Sequence, residues 1–228
     1  MSTGLVSDEP GIARVLTTRD QTRATYDRIA PYYEVLEGFW ERPARHAGLA
    51  ALRPSPRESL LEVGCGPGRS LAEMALAVGP QGHVLGIDLA PRMCLVARRR
   101  LQRTGVTRQA EVVQADATQL PVASDRFDGV FMSFTLELFD TPQIPVVLAE
   151  CTRVLRPGGR LVVVGLSKEG PASVLGRMYE WGHGRFPRVL DCRPIRVARS
   201  LTEANLRVRR ARVASLWGLP VEVVLAVA

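Results

Sequence analysis

Lysine is almost missing from this chain: Lys168 stands alone, so nearly all of the 30 basic residues are arginines. An arginine-biased composition therefore accounts for much of the formal charge of +7 without any function. Basic runs interleaved with stacking aromatics, as single-strand nucleic-acid binders require, are absent, and no nucleic acid is expected as a partner. The four cysteines, Cys65, Cys94, Cys151 and Cys192, form no CxxC or CxH pair. That spacing excludes a metal cage and a disulfide scaffold and fits reduced thiols, so no metal is expected. No stretch approaches the ~18 apolar residues of a membrane span, and the N-terminus, with Asp8 and Glu9, lacks the apolar core of a secretory signal. A soluble, untargeted, cytoplasmic protein is expected. Internal repeats, low-complexity tracts and linkers are missing too. The positive charge leaves room for peripheral contact with an anionic membrane surface, and the length for a homodimer.

What is present has the rhythm of alternating strands and helices. Residues 1 to about 20 have no clear period; residues 23–36 then concentrate three of the four tyrosines, Tyr26, Tyr32 and Tyr33, before any strand. A helical pattern from Glu41 to Leu52 ends at Pro54-Ser55-Pro56. The expectation is a helical lid or extension over 1–52 and one compact domain over 53–228. Strands are predicted at Leu60–Val63, His83–Asp88, Glu111–Ala115, Phe127–Ser133 and Arg160–Gly165. Helices are predicted at Leu71–Val78, from Pro91, a favoured first helical residue, to Arg103, and at Pro142–Leu155. Five strands separated by helices imply a parallel, doubly wound, Rossmann-like α/β sheet covered on both faces. Helices at Ala172–Gly182 and Ile195–Ala204 break the rhythm. Arg207–Leu216 and Val221–Val227, around Gly218-Leu219-Pro220, then close a seven-stranded sheet as an antiparallel pair.

The chemistry gathers at the turn after the first strand, in Ser59–Ser70. Gly64-x-Gly66-x-Gly68 lets the backbone take positive φ and leaves bare main chain at a helix N-terminus. Asp88 stands at the tip of the second strand, where a carboxylate accepts hydrogen bonds from ribose hydroxyls. Asp116 and Ala117, after the third strand, offer an acceptor and a backbone donor to an adenine edge. Three strand tips thus converge on one nucleoside. Arg69 occupies the place of the third dinucleotide glycine, and the GK[ST] ending of a triphosphate loop is absent. Glu62 supplies negative charge for an ammonium group, so the ligand expected is a nucleoside carrying an amino-acid tail. Cys65 reads as a small apolar filler of the turn.

The series Leu60–Gly68, Gly86–Met93, Asp116–Pro121, Phe127–Val130 and Val154–Gly159 resembles the motifs of class I S-adenosylmethionine-dependent methyltransferases, from about residue 25 to the C-terminus. The opening Tyr26–Tyr33 resembles the ubiquinone/menaquinone-biosynthesis C-methyltransferase branch. The resemblance implies S-adenosyl-L-methionine as cofactor and S-adenosyl-L-homocysteine as product. It implies that Gly64, Cys65, Gly66 and Gly68 cradle the methionine portion, Glu62 balances its ammonium, and Asp88 holds the ribose. Leu89 would pack on the adenine, Asp116 and Ala117 read its edge, Ser133 line the methionine side, and Tyr26, Tyr32 and Tyr33 form a lid. Where the quinone enzymes have a Gly-Leu-Arg-Asn type of segment after the fourth strand, this chain has Phe134–Asp140. Glu137 there and His183 further on are the candidate catalytic groups. Arg193 either faces an anionic substrate or is a paired structural arginine. Phe131, Met132, Phe134, Leu136 and Phe139, with Trp181 and Phe186, favour SN2 methyl transfer to a small hydrophobic, aromatic or lipid-like acceptor. The alternatives are a phospholipid-amine N-methyltransferase and a nucleoside-binding protein that acts through protein contacts without catalysis. A nicotinamide dehydrogenase is disfavoured by Arg69; RNA methylation is disfavoured by the absence of an Asn/Asp-Pro-Pro-Tyr/Phe motif.

Overall fold

The computed structural model describes residues 20–28, 41–169 and 192–228. Among them the strands are β1 (Ser59–Val63), β2 (His83–Asp88), β3 (Ala110–Gln114), β4 (Phe127–Ser133), β5 (Leu155–Leu166), β6 (Arg207–Leu216) and β7 (Leu219–Val227). The helices are α1 (20–28), α2 (Arg42–Leu52), α3 (Arg69–Val78), α4 (Pro91–Thr104), α5 (Ile144–Val154) and α6 (Val197–Glu203). Single 3-10 turns lie at Leu136–Leu138 and Thr141–Gln143. The predicted helix at Ala172–Gly182 lies outside the described residues.

The seven strands form one sheet in the order β3-β2-β1-β4-β5-β7-β6, with β1 to β5 parallel and β7 antiparallel to both neighbours. Successive side chains along a strand point to opposite faces, and here both faces are apolar. Leu61, Val63, Met132 and Val163 pack on one side among residues of α5 and α6. Leu60, Phe131, Val162 and Val164 pack on the other among residues of α2, α3 and α4. Burial on both sides explains why these strands read as apolar runs rather than alternating ones. Order reverses between β1 and β4, so chain crossovers leave in opposite directions there and a crevice opens at the C-terminal ends of the strands.

Helix α2 packs as a layer of the sandwich. Leu52 is fully buried in the core, and Arg160 of β5 donates from Nε to Leu52 O (2.5 Å) and from Nη2 to Arg53 O (3.1 Å). Strand β5 begins at Leu155, five residues before the expected start. Leu155 pairs with Phe127, the ladder shifts register before Gly129 pairs Arg160, and Gly158 at φ 78° carries the irregularity. The Pro157-Gly158-Gly159 turn is thus a bulge within a strand.

Beyond the tip of β5 lie several buried polar side chains. Glu222 of β7 accepts from Ser167 Oγ (2.9 Å) and from Val197 N (3.0 Å), the latter at the start of α6. Arg193 is fully buried and donates from Nη2 to Phe139 O (2.7 Å) and from Nη1 to Thr141 Oγ1 (3.1 Å). It is a structural arginine tying the start of the C-terminal region to the segment after β4. No helix among the described residues is long and apolar enough to cross a membrane.

Candidate cofactor site

An open cleft lies at the C-terminal ends of β1, β2, β3 and β4. The expected residues Gly64, Gly66, Asp88, Leu89, Asp116, Ala117 and Ser133 line it, together with Tyr26 of α1. The three strand tips do converge. Tyr26 packs against Ala90 and Met93, so α1 forms part of the wall. Asp27 fixes it there: its carboxylate accepts from Arg92 N (2.9 Å) at the start of α4, whose own N-cap residue, Ala90, has no capping side chain.

Asp88 organises the turn. Its Oδ2 accepts from Gly66 N and its Oδ1 from Ala90 N, both at 2.8 Å. Each carboxylate oxygen has a second lone pair, so two ligand hydroxyls can still be received. Burial pushes the Asp88 carboxyl up to about 6, against the lowering effect of those two N–H donors. Asp116 accepts at one oxygen from Thr118 N and Thr118 Oγ1, both at 2.8 Å, which sets the loop after β3.

The glycines divide the work. A Cβ on Gly66 (φ 49°) would meet nothing within 4 Å, so the space over this residue is open to a ligand. A Cβ on Gly64 (φ 70°) would lie 2.4 Å from Thr135, and one on Gly68 (φ 75°) 2.9 Å from Ala97 Cβ. Gly64 therefore lets β4's outgoing segment close on the turn, and Gly68 lets α3 approach α4.

Three expected cofactor residues are not among those lining the cleft: Glu62, Cys65 and Gly68. Glu62 is 3% exposed within β1. Cys65 N donates to Ile87 O (2.8 Å) and its thiol is buried in the core. Gly68 N donates to Cys65 O (2.9 Å), closing the turn on itself. Burial pushes the thiols of Cys65, Cys94 and Cys151 up, Cys94 to about 11 and Cys151 to about 12.

Of the two candidate catalytic groups, His183 lies outside the described residues, as do Tyr32, Tyr33, Trp181 and Phe186. Glu137 is fully buried and is not in the cleft lining. Its Oε1 accepts from Leu166 N (3.1 Å), and a Cβ on Gly165 would sit 2.8 Å from Oε2. The carboxylate is seated against the end of β5, where it holds backbone. Sequence reading also missed Thr22, Arg23, Glu41 and Gln143 in the lining, because each comes from an element remote from the strand tips. Phe134, Leu138 and Phe139 make the cleft apolar beside Ser133.

The cleft fits an adenosyl amino acid: a carboxylate at the β2 tip, apolar Ile87, Leu89, Ala117 and Met93 near it, and open main chain at Gly66. Ser133 Oγ is buried with no hydrogen-bond partner among the described residues, a polar atom that a ligand can satisfy.

Residues 60–159 match the family described as methyltransferase domain. A demethylmenaquinone methyltransferase of Symbiobacterium thermophilum is 32% identical over 151 residues, 64% of this chain and 59% of that protein. A ubiquinone/menaquinone biosynthesis C-methyltransferase UbiE of Sinorhizobium fredii is 31% identical over 170 residues, 72% of this chain and 65% of that protein. The matches thus span less than two thirds of these relatives' own length. Among solved structures, the [4+2]-cyclase SpnF superposes with a TM-score of 0.75 at 17% identity, covering 96% of this chain and 98% of that one; this likeness shows the fold alone.

The match over residues 60–159, the sheet order and the three-tip cleft are together those of class I S-adenosylmethionine-dependent methyltransferase domains. Within that class the chain resembles the UbiE branch, and the cofactor of such a domain is S-adenosyl-L-methionine.

Proposed function

We propose that this chain methylates a small hydrophobic or aromatic acceptor, with a lipid-like quinol as the favoured class. The observation that carries the reading is the apolar wall of Phe134, Leu138 and Phe139 next to Ser133 in the cleft. The names of the two relatives support a quinone-type acceptor. S-adenosyl-L-methionine, when bound, supplies a methyl group on a sulfonium that is already an activated leaving group. The protein therefore needs to bind, align and exclude water more than to supply a nucleophile. Asp88 would hold the ribose, Asp116 and Ala117 the adenine edge, and Gly64, Gly66 and Ser133 the methionine side. Tyr26, latched by Asp27, would close over the cofactor, and the phenylalanines would keep the acceptor side dry. Arg193 positions that wall through Phe139 O.

The test is turnover of labelled methyl groups against a panel of quinols, phenols and amines, with S-adenosyl-L-homocysteine binding measured in parallel. Transfer to a quinol or phenol is expected. Selective transfer to a phospholipid amine would replace the acceptor class. Tight S-adenosyl-L-homocysteine binding with no transfer to any member would point instead to a nucleoside-binding protein.

A further inference from the structure

We propose that the outer edge of the sheet, strand β6 and the β6–β7 hairpin tip, docks on an anionic lipid bilayer. The inference concerns a surface separate from the cleft and does not depend on which acceptor is methylated.

The charge comes first. β6 is the terminal strand of the sheet, and Arg207, Arg209, Arg210 and Arg212 on it are all exposed. Among the described residues, none of the four forms an ion pair or side-chain hydrogen bond with another residue. The hairpin's sole acid is Glu222, which is buried and committed to Ser167 and Val197. The cationic edge is therefore uncompensated.

A bulge then aligns the arginines. In β7, Val221, Val223 and Leu225 face the core shared with α2, α3 and α4. Their cross-strand partners are Ala214, Arg212 and Arg210, and Val227 of the same alternation pairs Arg207. Strict alternation would put Arg207 and Arg210 on opposite faces. The register shift between Val208 and Arg210 places Arg207, Arg210 and Arg212 on one face.

The hairpin tip supplies the apolar part. Leu216 pairs Leu219, so Trp217 and Gly218 are the two turn residues, at φ 54° and 85°. Such a primed turn ordinarily takes Asn-Gly, and a bulky residue at positive φ is strained. Trp217 is nonetheless there, 54% exposed. Arginines on an edge strand also discourage strand addition, which explains the charge but not an exposed tryptophan at a strained tip. Cations in a line ending in an exposed indole match the phosphate layer and interfacial zone of a bilayer. Because β7 is antiparallel, the tip lies at the same end of the sheet as the cleft. At ~4.8 Å per strand it is about 12 Å from β4.

The experiment is co-sedimentation of the full chain with phosphatidylglycerol/phosphatidylcholine vesicles and with pure phosphatidylcholine vesicles, each over a salt series. Binding is expected to the anionic vesicles only and to weaken with salt. The pair Arg210→Ala/Arg212→Ala should weaken it about 25-fold, at about 1 kcal/mol per arginine. Trp217→Ala should weaken it at least about tenfold. Circular dichroism melts confirm that the variants fold. Equal binding to both vesicle types, or variants that sediment like the unsubstituted chain, would overturn the proposal. So would indifference to vesicles combined with arginine-dependent retention of duplex RNA, or with concentration-dependent dimers lost in the arginine variants.

Discussion

Substitution of Asp88 by Asn removes one anionic acceptor while keeping the side chain's shape, and the consequences can be worked through from the contacts it makes. Its two oxygens already receive Gly66 N and Ala90 N at 2.8 Å, and a bound ribose would add two hydroxyls. A hydrogen bond to a charged group contributes about 1.5–3 kcal/mol, so losing the ribose pair costs about 3 kcal/mol or more, roughly a hundredfold in Kd. The amide nitrogen of Asn also cannot accept from the backbone N–H it faces, which loosens the turn that carries Gly66. The pH dependence gives a second, independent reading. Burial holds the Asp88 carboxyl at about 6, and only its ionised form accepts both hydroxyls. Below pH 6 the affinity for S-adenosyl-L-homocysteine should therefore fall by about tenfold per pH unit. For the cofactor-free fold the sign is opposite. A raised carboxyl pKa means the folded state holds the proton more tightly than the unfolded chain, so stability declines as pH rises from 3.8 to about 6. Isothermal titration of S-adenosyl-L-homocysteine across this window, beside thermal melts, measures both slopes. Asp88→Asn should bind about a hundredfold more weakly with a flat pH profile. A variant that binds within about threefold of the native chain, with the same slope, refutes the assignment of Asp88.

The remaining predictions separate roles that a sequence motif merges. Gly64→Ala should lower the melting temperature strongly, because its Cβ would collide with Thr135. Gly66→Ala should cost only about 1 kcal/mol of fold stability yet lose cofactor affinity, since its Cβ would fill open cleft. Asp27→Ala should cost about 1 kcal/mol through the lost contact to Arg92 N and speed tryptic cleavage at Arg23 and Arg28. Glu137→Gln should leave turnover near native, while Glu137→Ala should cost about 1–3 kcal/mol by stranding Leu166 N; abolished turnover in the Gln variant with intact cofactor binding would assign Glu137 a catalytic role.

Much of the architecture was legible in the residues. β2, β4 and β6 fall on the predicted bounds because Gly79-Pro80-Gln81-Gly82, Asp125-Arg126 and Ala204-Asn205 punctuate them sharply. β5 was not, because Pro157-Gly158-Gly159 has turn composition and only the pairing of Leu155 with Phe127 carries the strand through it. The site divided the same way. Asp88 and Asp116 stand at strand tips, where a carboxylate can reach a ligand whatever face it is on. Glu62 lies one pleat inside β1, where tertiary packing rather than the motif decides its surroundings. Gly64, Gly66 and Gly68 are equivalent letters in a pattern, yet only the atoms opposite each Cβ distinguish Gly66, over open cleft, from the two whose Cβ would collide with Thr135 and Ala97. Contributions from Glu41 and Gln143 depend on long-range placement that no local period encodes.

The buried thiols have a practical corollary. Cys65, Cys94 and Cys151 lie within the core with their ionisation suppressed, whereas Cys192 is only half-buried. Maleimide chemistry on the folded chain near neutral pH should therefore be confined to one position. That position lies beside Arg193, which donates to Phe139 O of the cleft lining, so a fluorophore attached there would test entry of the proposed cofactor and acceptor without any engineered cysteine.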